Sequence, residues 1–122
     1  MPTRVLIADD HTLFAEALEA ILDIDDRIAV VGRAKNGAEA VELASSLRPD
    51  VVLMDISMPV MDGIEATEQI TERAPATSVL VLTGSDSPRD IDAARRAGAT
   101  GYVTKDRIAA ELVQAILDAA RG

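Results

Sequence analysis

The chain contains no cysteine and no tryptophan, and only one histidine, one tyrosine and one phenylalanine. Without cysteine, thiol catalysis, cysteine-based zinc sites, iron–sulfur clusters and disulfide staples are all excluded. Positive charge is also scarce: 12 Lys and Arg face 21 Asp and Glu, a formal net charge of −9. That is the wrong sign for a surface that grips a phosphate backbone by itself, so nucleic acid is not expected as a direct ligand. No apolar run approaches the roughly 20 residues that span a bilayer, and the opening Met1-Pro2-Thr3-Arg4 leads straight into a short apolar segment instead of a signal-peptide core. The expectation is a soluble cytoplasmic protein with no membrane partner. Its 122 residues, 48% of them hydrophobic, suffice for one domain with a core of its own.

Short β-branched runs alternate with longer stretches of helical period, with no linker between them. Strands are predicted over 4–8, 28–34, 51–54, 79–82 and 101–103. Three of them (Val5-Leu6-Ile7, Val51-Val52-Leu53 and Val79-Leu80-Val81-Leu82) are apolar without alternation, as in central strands of a parallel sheet covered on both faces. A first helix over about 12–22 would bury Leu13, Phe14, Ala17, Leu18, Ile21 and Leu22. Asn36 with Glu39, and Asp62 with Glu65, have the spacing of capping boxes. Ser87-Pro88 reads as an N-cap and first-turn proline, with Gly98 closing that helix. A fifth helix over about 107–120 would bury Ile108, Leu112 and Ile116. Its flank of Val113, Leu117 and Ala120 is either the edge of a broad core-facing stripe or an interface for a homodimer or an output domain. The fold class is therefore α/β: a single doubly wound, five-stranded parallel sheet, flavodoxin-like in the order 2-1-3-4-5, with five helices.

Sheets of this kind carry their sites at the carboxyl ends of the strands. Asp9 and Asp10 follow the first predicted strand, Asp55 the third and Thr83 the fourth, with Lys105 shortly after the fifth. Neighbouring first and third strands would bring the three aspartates together. Two like charges about 5 Å apart at an effective dielectric near 20 repel by roughly 3 kcal/mol, so such a cluster requires neutralisers. A divalent cation and Lys105 fill that role, and a carboxylate-only ligand set favours Mg²⁺, with Mn²⁺ as the alternative, over zinc. The set points to phosphoryl chemistry with a carboxylate nucleophile. Each residue also has a plainer reading: Asp9 and Asp10 as helix caps, Thr83 as a strand end, Lys105 as a solvated loop charge, Tyr102 as core. His11, beside the two aspartates, is expected to be a partly exposed polar residue without a catalytic role.

Asp9-Asp10, the segment Leu53-Met54-Asp55-Ile56-Ser57-Met58-Pro59-Val60-Met61-Asp62-Gly63, Leu82-Thr83-Gly84, and Gly98-Ala99-Thr100-Gly101-Tyr102-Val103-Thr104-Lys105 together resemble the receiver domain of bacterial two-component response regulators. The opening Ala8-Asp9-Asp10-His11 and the closing Gly-Tyr-Val-Thr-Lys-Asp are most similar to the NarL/LuxR-type subfamily. The resemblance covers essentially the whole chain and implies a phosphorylation-controlled switch, not a turnover enzyme. It implies Asp55 as phosphoacceptor, served by a sensor histidine kinase or a small donor such as acetyl phosphate. It further implies Asp9, Asp10, Asp55 and the Ser57 carbonyl around Mg²⁺, Lys105 and Thr83 on the phosphoryl group, and Tyr102 as an aromatic switch. Output would leave through the surface of helix four, strand five and helix five, and DNA would be reached only through a helix-turn-helix domain expected in a full-length protein beyond this 1–122 receiver. Ser57 and Ser85 match positions that tune acyl-phosphate hydrolysis. Asp106 stands where many receivers have proline, which argues against a cis bond there and suggests a cap for the fifth helix.

Two rivals remain open at this level. A phosphatase of the haloacid dehalogenase type also uses Asp and Mg²⁺, but wants a second carboxylate two residues after the nucleophile, where this chain has Ser57. A flavodoxin-like FMN carrier wants phosphate donors where Asp9 and Asp10 repel a phosphate.

Overall fold

A computed structural model describes residues 1–84 and 87–121. Five parallel strands, β1 (Thr3–Ala8), β2 (Ile28–Ala34), β3 (Val51–Asp55), β4 (Ser78–Thr83) and β5 (Gly101–Thr104), form one sheet in the order β2-β1-β3-β4-β5. They alternate with α1 (Thr12–Asp23), α2 (Gly37–Leu47), α3 (Gly63–Arg73), α4 (Pro88–Ala97) and α5 (Ile108–Arg121). The continuous apolar runs are explained by two cores, one on each face. Val5, Ile7, Val51, Leu53, Leu80 and Leu82 pack with Leu18 and Leu22 of α1 and with Leu112 and Ile116 of α5. Leu6, Val52, Met54, Val79 and Val81 pack with Val41 of α2, Ile70 of α3 and Ala94 of α4. Successive strand side chains point to opposite faces, so a strand covered on both sides must be apolar at every position.

Helix α1 corrects the expected stripe. At about 100° per residue, Phe14, Ala15, Leu18, Ile21 and Leu22 fall within about 60° of one line, and Leu13 and Ala17 fall outside it. Accordingly Ala15, Leu18 and Leu22 are buried, Leu13 is 82% exposed and Ala17 faces water. In α5 the broad-stripe reading holds for Val113 and Leu117, which pack against the first core, whereas Ala120 is exposed. Asn36 and Asp62 cap as expected, accepting from the Glu39 and Glu65 N–H groups at 2.8 and 2.9 Å. The return half of the first box is displaced by one residue, because Glu39 accepts from Lys35 N–H instead. Ser87 occupies the N-cap of α4, but its hydroxyl makes no capping bond, and Pro88 alone fixes the first turn. Asp106 does not open α5; it lies inside a 3₁₀ turn, Lys105–Arg107, that precedes it. No cis peptide occurs among the described residues.

The loop from β3 to α3 is held by its backbone. Gly63 N–H donates to Ile56 C=O at 2.7 Å, Met61 N–H to Pro59 C=O at 2.7 Å, and Gly37 N–H to Met61 C=O at 2.9 Å. The second bond closes a γ-turn on Val60, whose φ of 68° is strained for a β-branched residue. Gly63 lies so close to the end of β3 that an added Cβ would stand 2.0 Å from the Asp55 carbonyl oxygen.

Two stability changes follow. Gly63→Ala forces the loop off the end of β3 and is expected to cost about 3 kcal/mol in urea unfolding. Thr104, 3% exposed, has a hydroxyl without a hydrogen-bond partner. Thr104→Val removes that buried polar atom at nearly constant volume, and thermal denaturation should show a gain of about 1 kcal/mol.

Candidate functional site

Parallel pairing of β1 with β3 and of β3 with β4 aligns their carboxyl ends, where the chemistry-bearing residues gather. Asp55 and Thr83 are the last residues of β3 and β4, held in the ladder opposite Leu82 and Thr104 respectively. Asp9 and Asp10 follow β1 directly. One donor atom from each of Asp9, Asp10, His11 and Asp55 lies within 4.8 Å of every other. The predicted convergence of the three aspartates is therefore present, and His11 joins it.

The aspartates differ in setting. Asp9 is buried; its backbone N–H donates to Ala34 C=O at 3.0 Å, and its Oδ1 accepts from His11 N–H at 2.8 Å, a side-chain turn that leads into α1. Its Oδ2 is buried with no hydrogen-bond partner. Asp10 stays partly open, its side chain 31% exposed. Asp55 is buried, and its Oδ1 meets Lys105 Nζ at 3.1 Å. The same ammonium sits 4.8 Å from the centre of the Phe14 ring, so an ion pair and a cation–π contact fix Lys105 from two sides. The resting position of Lys105 is thus set by Asp55 and α1, with no proline required after it.

Burial pushes the Asp55 carboxyl above its ordinary value. The Lys105 hydrogen bond opposes that shift, and the neighbouring Asp9 and Asp10 charges reinforce it. The pocket is short of positive charge by its own construction. An orphaned buried oxygen on Asp9, a second carboxylate open to solvent and a third with one oxygen on lysine suit a small hard cation that completes its shell with water. The donor set fits Mg²⁺.

Ser57 is exposed in the loop two residues beyond Asp55. Thr83 is buried, and Tyr102, half-buried in β5, packs against the second core. Ser85 lies outside the described residues. Two residues carry more than the sequence reading gave them. Phe14 is both core and a seat for Lys105, and His11 Nδ1 stands 3.3 Å from Asp9 Oδ1 and 3.3 Å from Asp10 Oδ1. The presence of a lone Phe four residues and a lone His one residue after Asp10 was the available signal, but a helical pattern alone does not say which ring meets a lysine from the far end of the chain.

The raised Asp55 carboxyl has a calculable sign. Between the ordinary value of 3.8 and its folded-state value, the folded protein holds a proton that the unfolded chain has lost. Stability therefore falls as pH rises through that window, and the full cost of the charge remains above it. In chelator-treated buffer, Asp55→Asn should raise stability at neutral pH by about 1 kcal/mol, a gain that disappears below the ordinary carboxylate value, as read by thermal melts across pH.

The comparisons with known proteins agree with this geometry. The family model described as the response regulator receiver domain matches residues 5–117. Among curated relatives, the transcriptional regulatory protein LnrK of Bacillus subtilis is 40% identical over 114 residues, covering 93% of this chain and 52% of that protein. The nitrate/nitrite response regulator NarL of Escherichia coli K12 is 35% identical over 121 residues, covering 99% of this chain and 56% of that protein. The chain thus spans about half the length of the curated relatives it matches. Among solved structures, the response regulator domain of Thermotoga maritima CheB superposes with a TM-score of 0.94 at 35% identity, covering 100% of this chain and 98% of that one. A LuxR-family two-component response regulator from Aurantimonas sp. SI85-9A1 gives 0.94 at 36% identity, covering 100% and 87%. Fold, pocket and relatives converge on one assignment: the chain belongs to the response regulator receiver domains, and its relatives are of the NarL/LuxR type.

Proposed function

We propose that this domain is a Mg²⁺-dependent phosphoacceptor switch that takes a phosphoryl group on Asp55 from a sensor histidine kinase in the cytoplasm. The observation that carries the reading is the Lys105–Asp55 pair, 3.1 Å apart beside a buried Asp9 oxygen that has no partner. An Asp55 oxygen attacks phosphorus, the phosphorus–nitrogen bond of the donor phosphohistidine breaks, and the bonding pair leaves with the imidazole. Lys105, already at the carboxylate, is placed to follow charge onto a phosphoryl oxygen of the acyl phosphate. Bound Mg²⁺, held by Asp9, Asp10, Asp55 and the Ser57 carbonyl, would supply neutralisation of the transferring group. Desolvation keeps the carboxylate a willing nucleophile at neutral pH, since its charge is poorly stabilised before reaction.

The switch reading rests on Thr83 and Tyr102. Thr83 lies buried at the end of β4, beside β5, which carries Tyr102 and runs into Lys105. A phosphoryl oxygen that recruits Lys105 and the Thr83 hydroxyl favours one arrangement of the β4 end and Tyr102, and so alters the α4-β5-α5 surface. In a protein of NarL/LuxR type that surface would govern an attached DNA-binding domain and so transcription. The domain then carries out a single self-catalysed phosphotransfer and slow hydrolysis rather than turnover. A phosphatase of the dehalogenase type is disfavoured by Ser57, which offers no carboxyl proton donor.

Intact mass spectrometry after incubation with acetyl phosphate tests the reading. One phosphoryl adduct is expected on the wild type, dependent on Mg²⁺ and absent from Asp55→Asn. An adduct that persists in Asp55→Asn, or a wild type left unmodified with donor and Mg²⁺ present, overturns it.

A further inference from the structure

Lys105 is held by two contacts of different kinds. Its ammonium stands 3.1 Å from Asp55 Oδ1 and 4.8 Å from the centre of the Phe14 ring. The first contact depends on a charge that phosphorylation consumes: once Asp55 carries a phosphoryl group, its carboxylate is a neutral acyl carbonyl and the negative charge lies on the phosphoryl oxygens. The second contact is unaffected, because the attraction between an ammonium and the face of a benzene ring needs no titratable partner. The ring is also firmly placed. Phe14 packs against the first core, which holds Ile108, three residues after Lys105, together with Leu112 and Ile116 of α5. One packed unit therefore carries both the ring and the chain that delivers the lysine. Tyr102, the chain's one tyrosine, lies against the opposite core. The Lys105 side chain is 31% exposed, and without the ring its four-carbon stem has rotamers that lead into solvent.

We propose that Phe14 is a positioning residue for phosphoryl transfer: its ring keeps the Lys105 ammonium at the carboxyl end of β3 while the lysine's partner changes from the Asp55 carboxylate to a phosphoryl oxygen. The inference rests on the phosphoacceptor reading of Asp55 above and deepens it. The ammonium pivots on the ring instead of detaching into water, so it is present to neutralise charge as that charge develops on the transferring group. What the role requires is a π face and not apolar volume alone. Leucine fills the core without supplying such a face, whereas tyrosine supplies one and, at this half-buried position, can carry its hydroxyl to water.

The chain has two lysines, Lys35 and Lys105, so protein grown with carbon-13 lysine gives two sets of side-chain NMR signals, which Lys35→Arg assigns. In the metal-free wild type the Lys105 ε-CH₂ protons are expected upfield of those of Lys35, through the ring current of Phe14. The displacement should persist when beryllium trifluoride, a tetrahedral mimic of a phosphoryl group, is bound in the presence of Mg²⁺. It should vanish in Phe14→Leu and remain in Phe14→Tyr. The rate of Asp55 modification by acetyl phosphate, followed by intact mass, should fall about tenfold in Phe14→Leu and return to within about twofold of wild type in Phe14→Tyr. Wild-type Lys105 protons without the displacement, or a displacement lost on loading, overturns the inference and leaves Asp55 as phosphoacceptor. So does a Phe14→Leu rate equal to wild type, or a Phe14→Tyr rate as low as that of Phe14→Leu. A wild type that takes neither beryllium trifluoride nor a phosphoryl group, with its ring-current displacement intact, overturns both.

Discussion

The attraction between the Lys105 ammonium and the Asp55 carboxylate organises the carboxyl edge of this sheet. Three carboxylates converge there because β1 lies beside β3, and one lysine arrives from the end of β5 to meet them. The lysine is committed twice, to Asp55 and to the Phe14 face, so its position links the acid pocket to helix α1. One cation cannot balance three anions, so the pocket keeps a residual negative charge that a further cation would relieve.

The two faces of the sheet divide the labour. One core joins β1, β3 and β4 to α1 and α5, the elements that present Phe14 and follow Lys105. The other joins the same strands to α2, α3 and α4, and includes Tyr102 at its margin. Asp55 closes a strand that is buried along its whole length, so a change in its charge is made at the rigid centre of the fold, next to β4 and one strand removed from β5.

Much of this was legible in the sequence, because short β-branched apolar runs such as Val51-Val52-Leu53, alternating with stretches of helical period, suit parallel strands covered on both faces. The flavodoxin-like strand order came from the fold type that five alternating units resemble, and with it the meeting of Asp9, Asp10 and Asp55. What escaped depended on where side chains point once the tertiary structure has formed. Leu13 and Phe14 are equally apolar neighbours, yet 100° of helical rotation sends one to solvent and the other under Lys105. Composition offered Asp106 as a cap, but the chain enters α5 through a 3₁₀ turn that already directs it. His11 is exposed, as expected, and its contacts with both Asp9 and Asp10 were not legible because the three are consecutive residues at a bend.

The β3–α3 loop is tied down through Ile56, Pro59 and Met61 carbonyls and through Gly63, Met61 and Gly37 amides, and the Asp62 side chain fastens its far end to α3. Because most of the fastening runs through backbone atoms, the exposed Ser57 side chain can be exchanged without loosening the rim of the pocket, whereas Met58 is also held by the second core.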